Sequence, residues 1–238
     1  MTERLTTSAF NQNQPAQSLH EQGLKSEIVG DYDQAGSLFN QAIDLLEPSA
    51  STIDNQLQLA KIYRDLGFNL VRHSIADLDL SELNKGKKNI EESGAKTFIH
   101  IFKIDSPRLN TYQQRELLAE HGATINLLAR TATLETVIFK QSDKFNRPEK
   151  IYTTAHRFLK KGNNGYYRTS NTLTAARQER INKHHLQAFK WLGRAAISVS
   201  WTALFDSKNL GPSVKTLAHR LPDLTNQKKA IDSLSSKP

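Results

Sequence analysis

The feature that most constrains this chain is a run of apolar and small residues in residues 16–48 that recur three and four positions apart. That spacing places side chains on one face of a helix. Gly30 and Asp31 divide the run, and a glycine can end one helix where an aspartate caps the next. Two antiparallel helices joined by a tight turn are therefore predicted, with Pro48 stopping the second. The run consists of Leu19, Gly23, Ile28, Tyr32, Ala35, Leu38, Phe39, Ala42, Ile43 and Leu46.

This segment resembles one tetratricopeptide (TPR) repeat, a helical hairpin with a period of 34 residues. With Gly23 at the eighth position of the repeat, Leu19 falls at the fourth, Ala35 at the twentieth, Phe39 at the twenty-fourth and Ala42 at the twenty-seventh. The resemblance covers about 33 of the 238 residues. It implies that small side chains let the paired helices approach closely and that Phe39 fills the gap to the next hairpin.

Helices are also predicted between residues 55 and 141. Residues 55–68 are similar to the first helix of a second repeat, but its partner helix is displaced and starts only near Leu80, with Ser81 as its cap. Residues 97–104 are β-branched and aromatic, which fits either a strand or a buried helix; the helical neighbours favour the helix. Residues 111–141 predict one long helix or a hairpin bent near Gly122.

The C-terminal part of the chain predicts shorter helices. Residues 142–154 are interpreted as a linker around Pro148, and residues 152–161 as a short helix ended by the turn cluster at 162–165. Ser170 or Asn171 then caps a helix that runs to Leu192. After Gly193 an almost wholly apolar stretch predicts a central packed helix, and residues 208–221 predict a short terminal helix.

The fold class expected from these patterns is all-α, with antiparallel helical hairpins, a TPR-like α-solenoid beginning and an irregular, basic, helical C-terminal half. The predicted division is a flexible tail at 1–15, a TPR-like region at 16–141, a basic helical region at 142–221 and a flexible tail at 222–238. The net charge of +8 is unevenly spread: residues 1–139 hold thirteen Lys/Arg and eighteen Asp/Glu, whereas residues 140–194 hold thirteen and three. Such a basic block suits a polyanion or an acidic protein surface.

Several classes of function lack the residues they need. The chain has no cysteine, which excludes disulfides, thiolate metal sites and a cysteine nucleophile. It starts without an apolar leader, and its longest apolar stretch is too short to cross a bilayer, so a cytoplasmic protein without a membrane partner is expected. No HExxH, phosphate loop or nucleophile elbow occurs, so no catalytic residue, metal or cofactor is predicted.

The expected function is a scaffold or adaptor that binds a protein or peptide partner. In TPR-like proteins the first helix of each pair lines a concave groove, and the resemblance places five residues of this chain there. His20 and Leu24 stand where the carboxylate-clamp subtype has Lys and Asn, so an extended or helical peptide is the expected ligand. The alternative is that these helices pack inside the protein or form a dimer. The five residues are Gln17, His20, Leu24, Glu27 and Ile28.

A second hypothesis is binding of RNA or single-stranded DNA by the basic residues 140–194. Positive charges there alternate with aromatic rings, the combination that single strands need for phosphate neutralisation and base stacking. Arg177, Arg180 and His184 would share one helix face. No RRM, KH or helix-turn-helix signature accompanies the charge. The alternative is that the aromatic residues pack in the core and the Lys/Arg form a solvated face or complement the acidic half of the chain. The candidate residues are Tyr166, Tyr167, Arg177, Arg180 and Lys183.

Overall fold

A computed structural model describes residues 4–102, 109–138, 148–181, 184–205, 210–211 and 213–214. Over these ranges the chain is all-α and contains no strand. Its helices are α1 (Arg4–Val29), α2 (Tyr32–Leu46), a 3-10 turn (Glu47–Ser49), α3 (Ile53–Asp77), α4 (Leu80–Phe102), α5 (Thr111–Ile138), α6 (Pro148–Lys161), α7 (Gly165–Ile181) and α8 (His185–Phe205). None of these helices is both long and apolar enough to span a membrane.

The chain forms two compact units, Met1–Glu120 and His121–Pro238. The boundary between them falls inside α5. The boundary that composition suggests, between residues 141 and 142, lies outside the described residues. So does the proposed tail at 222–238, and of the terminal helix predicted at 208–221 only four residues are described, all of them helical.

The first helical hairpin has the turn that the sequence predicts. Gly30 ends α1 with φ +86°, a left-handed conformation that a side chain would disfavour. Asp31 caps α2, its Oδ1 accepting a hydrogen bond of 3.1 Å from the Gln34 amide. The apolar face of α2 then packs into the first unit's core, where Ala35, Phe39 and Ala42 are fully buried.

The beginning of α1 differs from the prediction. The segment predicted as a flexible tail is helical from Arg4, and Pro15 lies inside the helix. A proline in a helix interior removes one hydrogen bond and normally marks an end, which is why the sequence suggested a start at Ala16. Here the helix continues through Pro15, and Ala16 is buried in the core.

The second hairpin consists of two helices longer than a TPR repeat provides. Leu78 ends α3 in the left-handed conformation, and Asp79 caps α4 by accepting hydrogen bonds from the amides of Ser81 (2.7 Å) and Glu82 (3.3 Å). Ser81 is therefore not the cap. The helix predicted for 97–104 is present as far as Phe102, where the described part of this segment ends. The helix was predicted to be buried, but Phe98 and Ile99 are half exposed.

The second unit corrects several predictions. The linker predicted at 142–154 is helical from Pro148, because proline suits the first position of a helix. Asn164, not Ser170 or Asn171, caps α7, its Oδ1 accepting from the Tyr167 amide at 2.9 Å. Asn171 is fully buried instead and donates to the Tyr152 carbonyl at 3.2 Å.

The long helix predicted from residue 170 to Leu192 is interrupted. α7 ends at Ile181, and the His184 amide donates 2.8 Å back to the Glu179 carbonyl before α8 begins. α8 itself continues through Gly193, but it is not buried on all sides, since Ile197 is 65 % exposed while Trp191 and Ala195 are buried. Of the two alternatives predicted for 111–141, the chain forms the single long helix as far as Ile138 and not the hairpin bent near Gly122.

Among the described helices, the pairs α1–α2, α3–α4, α5–α6 and α7–α8 each have a glycine where the two helices touch. A Cβ built on Gly23 would lie 2.6 Å from the Phe39 ring, and one on Gly67 would lie 2.7 Å from the Gly86 carbonyl oxygen. Contacts this short have no room for a side chain. The other two pairs repeat the arrangement, with Gly122 of α5 against Leu159 of α6 and Gly165 of α7 against Thr202 of α8.

Candidate functional site

The first unit contains a groove with a volume of about 430 Å³. Its lining comes from α1, α3 and the beginning of α5, and none of it from α2 or α4. The groove is therefore built from the first helices of successive pairs. The lining residues are Gln17, His20, Glu21, Asp54, Leu57, Gln58, Lys61, Asn110, Tyr112 and Gln113.

Hydrogen bonds at the start of α5 fix one wall of the groove. Asn110 caps the helix by accepting from the Gln113 amide at 2.9 Å, and the Gln113 side chain accepts from the Asn110 amide at 3.3 Å. The same Gln113 side chain donates to Asp54 Oδ1 of α3 at 3.1 Å. This reciprocal cap positions Tyr112 on the wall, where its side chain is 69 % exposed.

A chain of ionisable side chains extends from His20 into the unit. His20 Nε2 lies 2.9 Å from Asp65 Oδ2, and Arg64 lies 2.8 Å from the other oxygen of Asp65. Arg64 Nη1 also donates to Glu120 Oε2 of α5 at 2.5 Å. This network, His20, Asp65, Arg64 and Glu120, links the three helices that form the groove.

The two buried carboxyl groups of this network, Asp65 and Glu120, have pKa values shifted in opposite directions. Burial raises the pKa of Glu120 above its usual value, and Arg64 offsets only part of that effect. Burial would raise the pKa of Asp65 as well, but the Arg64 charge and the His20 hydrogen bond outweigh it and lower that pKa. Asp65 is accordingly the firmly ionised partner of Arg64 in the network.

The groove itself has two carboxylates without a cationic partner among the described residues. Glu21 accepts a hydrogen bond from Gln17 at 3.1 Å, and Asp54 accepts the one from Gln113. The lysine in the groove, Lys61, is already paired with Glu116 at 3.1 Å. The lining therefore combines amide donors and acceptors, an aromatic ring and a net negative charge.

Two of the five residues predicted to bind a partner line this groove, Gln17 and His20. Leu24 packs against the apolar core of the first unit. Glu27 is buried and paired with Arg72 at 3.1 Å, and burial raises its pKa. Ile28 is 78 % exposed but does not line the groove.

No known protein family, curated protein or solved structure matches the chain.

The groove residues of α3 and α5 were not predicted from the sequence. Asp54, Gln58 and Tyr112 have ordinary residue types, and no motif joins positions this far apart in sequence. A signal for α3 was its similarity to the first helix of a repeat, because the TPR resemblance that placed Gln17 and His20 on the binding face implies the same face for the first helix of the next repeat. No such signal existed for α5.

The described residues of the nucleic-acid hypothesis lie towards opposite ends of α7. Tyr166 and Tyr167 lie in its first turn, half-buried, with ring centroids 5.3 Å apart. Arg177 is half-buried and Arg180 exposed near its last turn, and Lys183 lies outside the described residues. His184 does not extend their face, because its ring turns back to Glu179 at 2.9 Å.

A cluster of possible metal ligands lies where α3 meets α4. His73 Nε2 is 3.0 Å from Asp77, and His73 Nδ1 is 3.0 Å from Glu82. Asp77 and Glu82 thus contact opposite nitrogens of the His73 ring. An ion bound to one of these nitrogens would replace only one of the two contacts. The cluster ties the last turn of α3 to the first turn of α4.

Proposed function

We propose that the protein is an interaction module that holds an extended peptide in the groove formed by α1, α3 and the start of α5. The observation that carries this proposal is the origin of the lining, which comes only from the first helices of successive pairs. That is the face that the TPR resemblance of residues 16–48 assigns to ligand binding. The rest of the proposal concerns what kind of peptide such a lining fits.

The amide side chains suit a peptide backbone. Gln58 offers both a donor and an acceptor, and Gln17 and Gln113, which each use one amide N–H inside the groove, each keep a second N–H for the ligand. An extended main chain needs such partners along its length. Tyr112 supplies an exposed ring for an apolar side chain of the peptide. A groove of this composition binds through hydrogen bonds and one aromatic contact rather than through a large apolar surface.

The uncompensated carboxylates predict the charge of the peptide. Glu21 and Asp54 lie in the groove without a cationic partner in the described part of the chain. A lysine or arginine of the peptide would complete both with charge-assisted hydrogen bonds. We therefore expect a ligand with at least one basic residue, and binding that weakens as salt screens these charges.

The test is selection of peptides from a random library on the whole protein, followed by fluorescence polarisation with a selected peptide. Tyr112→Ala and Gln58→Arg should each weaken binding by tenfold or more, which corresponds to about 1.4 kcal/mol. Ile28→Glu is the matched control, because this exposed residue of α1 is outside the groove, and it should leave the affinity unchanged.

Two results would overturn the proposal. One is a library that yields no peptide enriched in basic residues, and the other is binding that survives both groove substitutions. A single-stranded RNA probe tests the alternative at the same time. RNA binding that falls steeply with salt and is reduced by Arg180→Gln, with no peptide selected, would favour the basic segment over the groove.

A further inference from the structure

A group of basic and aromatic side chains in the second unit is separate from the groove. His156 of α6, Arg168 of α7 and Trp191 of α8 belong to it, together with the exposed side chains of Lys160 and Arg194. We call these five residues the basic cluster. The His156 and Trp191 rings meet edge to face at 6.0 Å, and the Arg194 guanidinium lies 4.4 Å from the Trp191 ring centroid.

Arg168 is the unusual member of the cluster. It is only 6 % exposed, and its guanidinium lies 4.6 Å from the Trp201 ring centroid. Among the described residues no carboxylate lies within ion-pair distance of Arg168, and its buried Nε has no hydrogen-bond partner. Burial lowers the pKa of Arg168 accordingly. A buried charge is normally paired, so this one lacks the anion that would make its burial favourable.

Two other members of the basic cluster also have a buried nitrogen without a hydrogen-bond partner. Trp191 is fully buried and its Nε1 has no hydrogen-bond partner, and His156 Nδ1 is buried without one. An arginine Nε and an indole Nε1 can only donate hydrogen bonds, so the missing partner must be an acceptor. Arg194 and Trp201 are seven residues apart on α8, so Arg168, which lies over the Trp201 ring, is on the same side of that helix as Arg194. The positive charges of Arg168, Arg194 and Lys160 each help to lower the pKa of His156.

We propose that the basic cluster binds an oxyanion of the phosphate type. Three positive charges and two donor-only groups match a dianion that has several acceptor oxygens better than they match a monoanionic carboxylate. Lys160 and Arg194 are exposed, so the cluster reaches the surface, and the phosphate can be free or carried by a larger molecule. The proposal does not depend on the peptide groove, since no residue is shared.

The experiment uses the indole N–H signals of the two tryptophans in the full-length protein labelled with nitrogen-15. Trp191→Phe assigns the Trp191 signal. Inorganic phosphate is added at constant ionic strength, and we expect the Trp191 signal to move saturably, with half-saturation at about 1 mM or below. Phosphoserine tests a phosphate carried on a larger group, and acetate tests a carboxylate.

Substitutions connect the signal to Arg168. Arg168→Met should abolish the saturable shift, whereas Arg157→Gln, which removes an exposed arginine of the same region, should keep it. Thermal unfolding gives a second readout, because a ligand that binds only the folded protein raises the melting temperature. Phosphate should raise the melting temperature of the wild type and of Arg157→Gln, and should not raise that of Arg168→Met.

Several outcomes would overturn the proposal. They are the absence of a saturable shift up to about fifty times the expected half-saturation concentration, an equal response in Arg168→Met, and an acetate response equal to that of phosphate. If Arg168→Met does not fold, Arg168→Lys replaces it: this variant keeps the charge but loses the Nε donor, and it should bind phosphate at least tenfold more weakly. An unchanged affinity in Arg168→Lys would contradict the role of Arg168.

Discussion

Arg64 pairs with two carboxylates in the interior of the first unit. It is the cation shared by Asp65 and by the buried Glu120, so it compensates two carboxylates at once. Removing one member of a buried ion pair leaves the other charge uncompensated, and that costs more than the pair contributes. The two sides of this pair should therefore respond unequally to substitution.

Arg64→Met should lower the free energy of unfolding by about 3–5 kcal/mol, the typical loss when a buried pair is broken. Glu120→Gln should cost less, about 1–3 kcal/mol, because burial already disfavours the charged form of Glu120 and a neutral amide can still accept a hydrogen bond. Urea denaturation at neutral pH measures both. Arg115→Met removes an exposed arginine of α5 and should change stability by no more than about 0.5 kcal/mol. A loss in Glu120→Gln as large as that in Arg64→Met would contradict this account.

His156 predicts how the second unit responds to acid. Burial, and then the charges of Arg168, Arg194 and Lys160, lower its pKa from 6.5 to about 4. Between these two values the unfolded chain binds a proton that the folded protein does not, so the free energy of unfolding decreases as pH falls from about 6.5 to 4. Stability from this group is fully present above pH 6.5.

The measurement is urea denaturation across this pH range in buffers free of phosphate, comparing the wild type with His156→Asn. The variant cannot be protonated at this position, so its stability should change less between pH 6.5 and 4. Carboxyl groups contribute equally to both curves and cancel in the comparison. Parallel curves for the two proteins would show that His156 does not have the lowered pKa.

At the scale of helices, the contact between α3 and α4 brings the backbones of the two helices together at a pair of glycines. A Cβ on Gly67 would lie 2.7 Å from the Gly86 carbonyl and 2.6 Å from Ile90 Cγ1. A backbone oxygen cannot move aside without displacing its helix, so both helices would have to separate. This contact is what keeps the long second pair closely packed.

Gly67→Ala should therefore lower the free energy of unfolding by about 1–3 kcal/mol, the usual cost of overpacking, despite alanine's better helix propensity. Gly193→Ala is the matched control. Gly193 also lies inside a helix, but a Cβ there would have no neighbour within 4 Å, so alanine should stabilise the protein by up to about 1 kcal/mol. Chemical denaturation gives both values, and a Gly67→Ala protein as stable as the wild type would contradict the close contact.

The helices show which features of the fold could be predicted from sequence. The Gly30-Asp31 turn was predictable because both residues act within a few positions of themselves. Asp79 was missed as a cap because Ser81, two residues on, suited the pattern equally well, and only the left-handed Leu78 distinguishes them. The separation of α7 from α8 was missed because the apolar pattern continues across it.

At the scale of the whole molecule, the sequence predicted the helical class and the charge asymmetry but not where charged groups are buried. The groove depends on Asp54 and Tyr112, which are brought together only by tertiary packing. Arg168 is one of thirteen Lys/Arg in residues 140–194. The residues next to it in the sequence do not distinguish it from the arginines and lysines that are exposed to solvent. Its burial becomes visible only when α6, α7 and α8 are in place.

Both tryptophans of the chain, Trp191 and Trp201, lie in the second unit, and Trp191 is fully buried. Intrinsic fluorescence excited at the tryptophan band therefore reports on that half alone, whereas far-ultraviolet circular dichroism reports on helices throughout. Recording both signals in one denaturation experiment would reveal whether the two halves unfold in a single cooperative step, without any label or truncation.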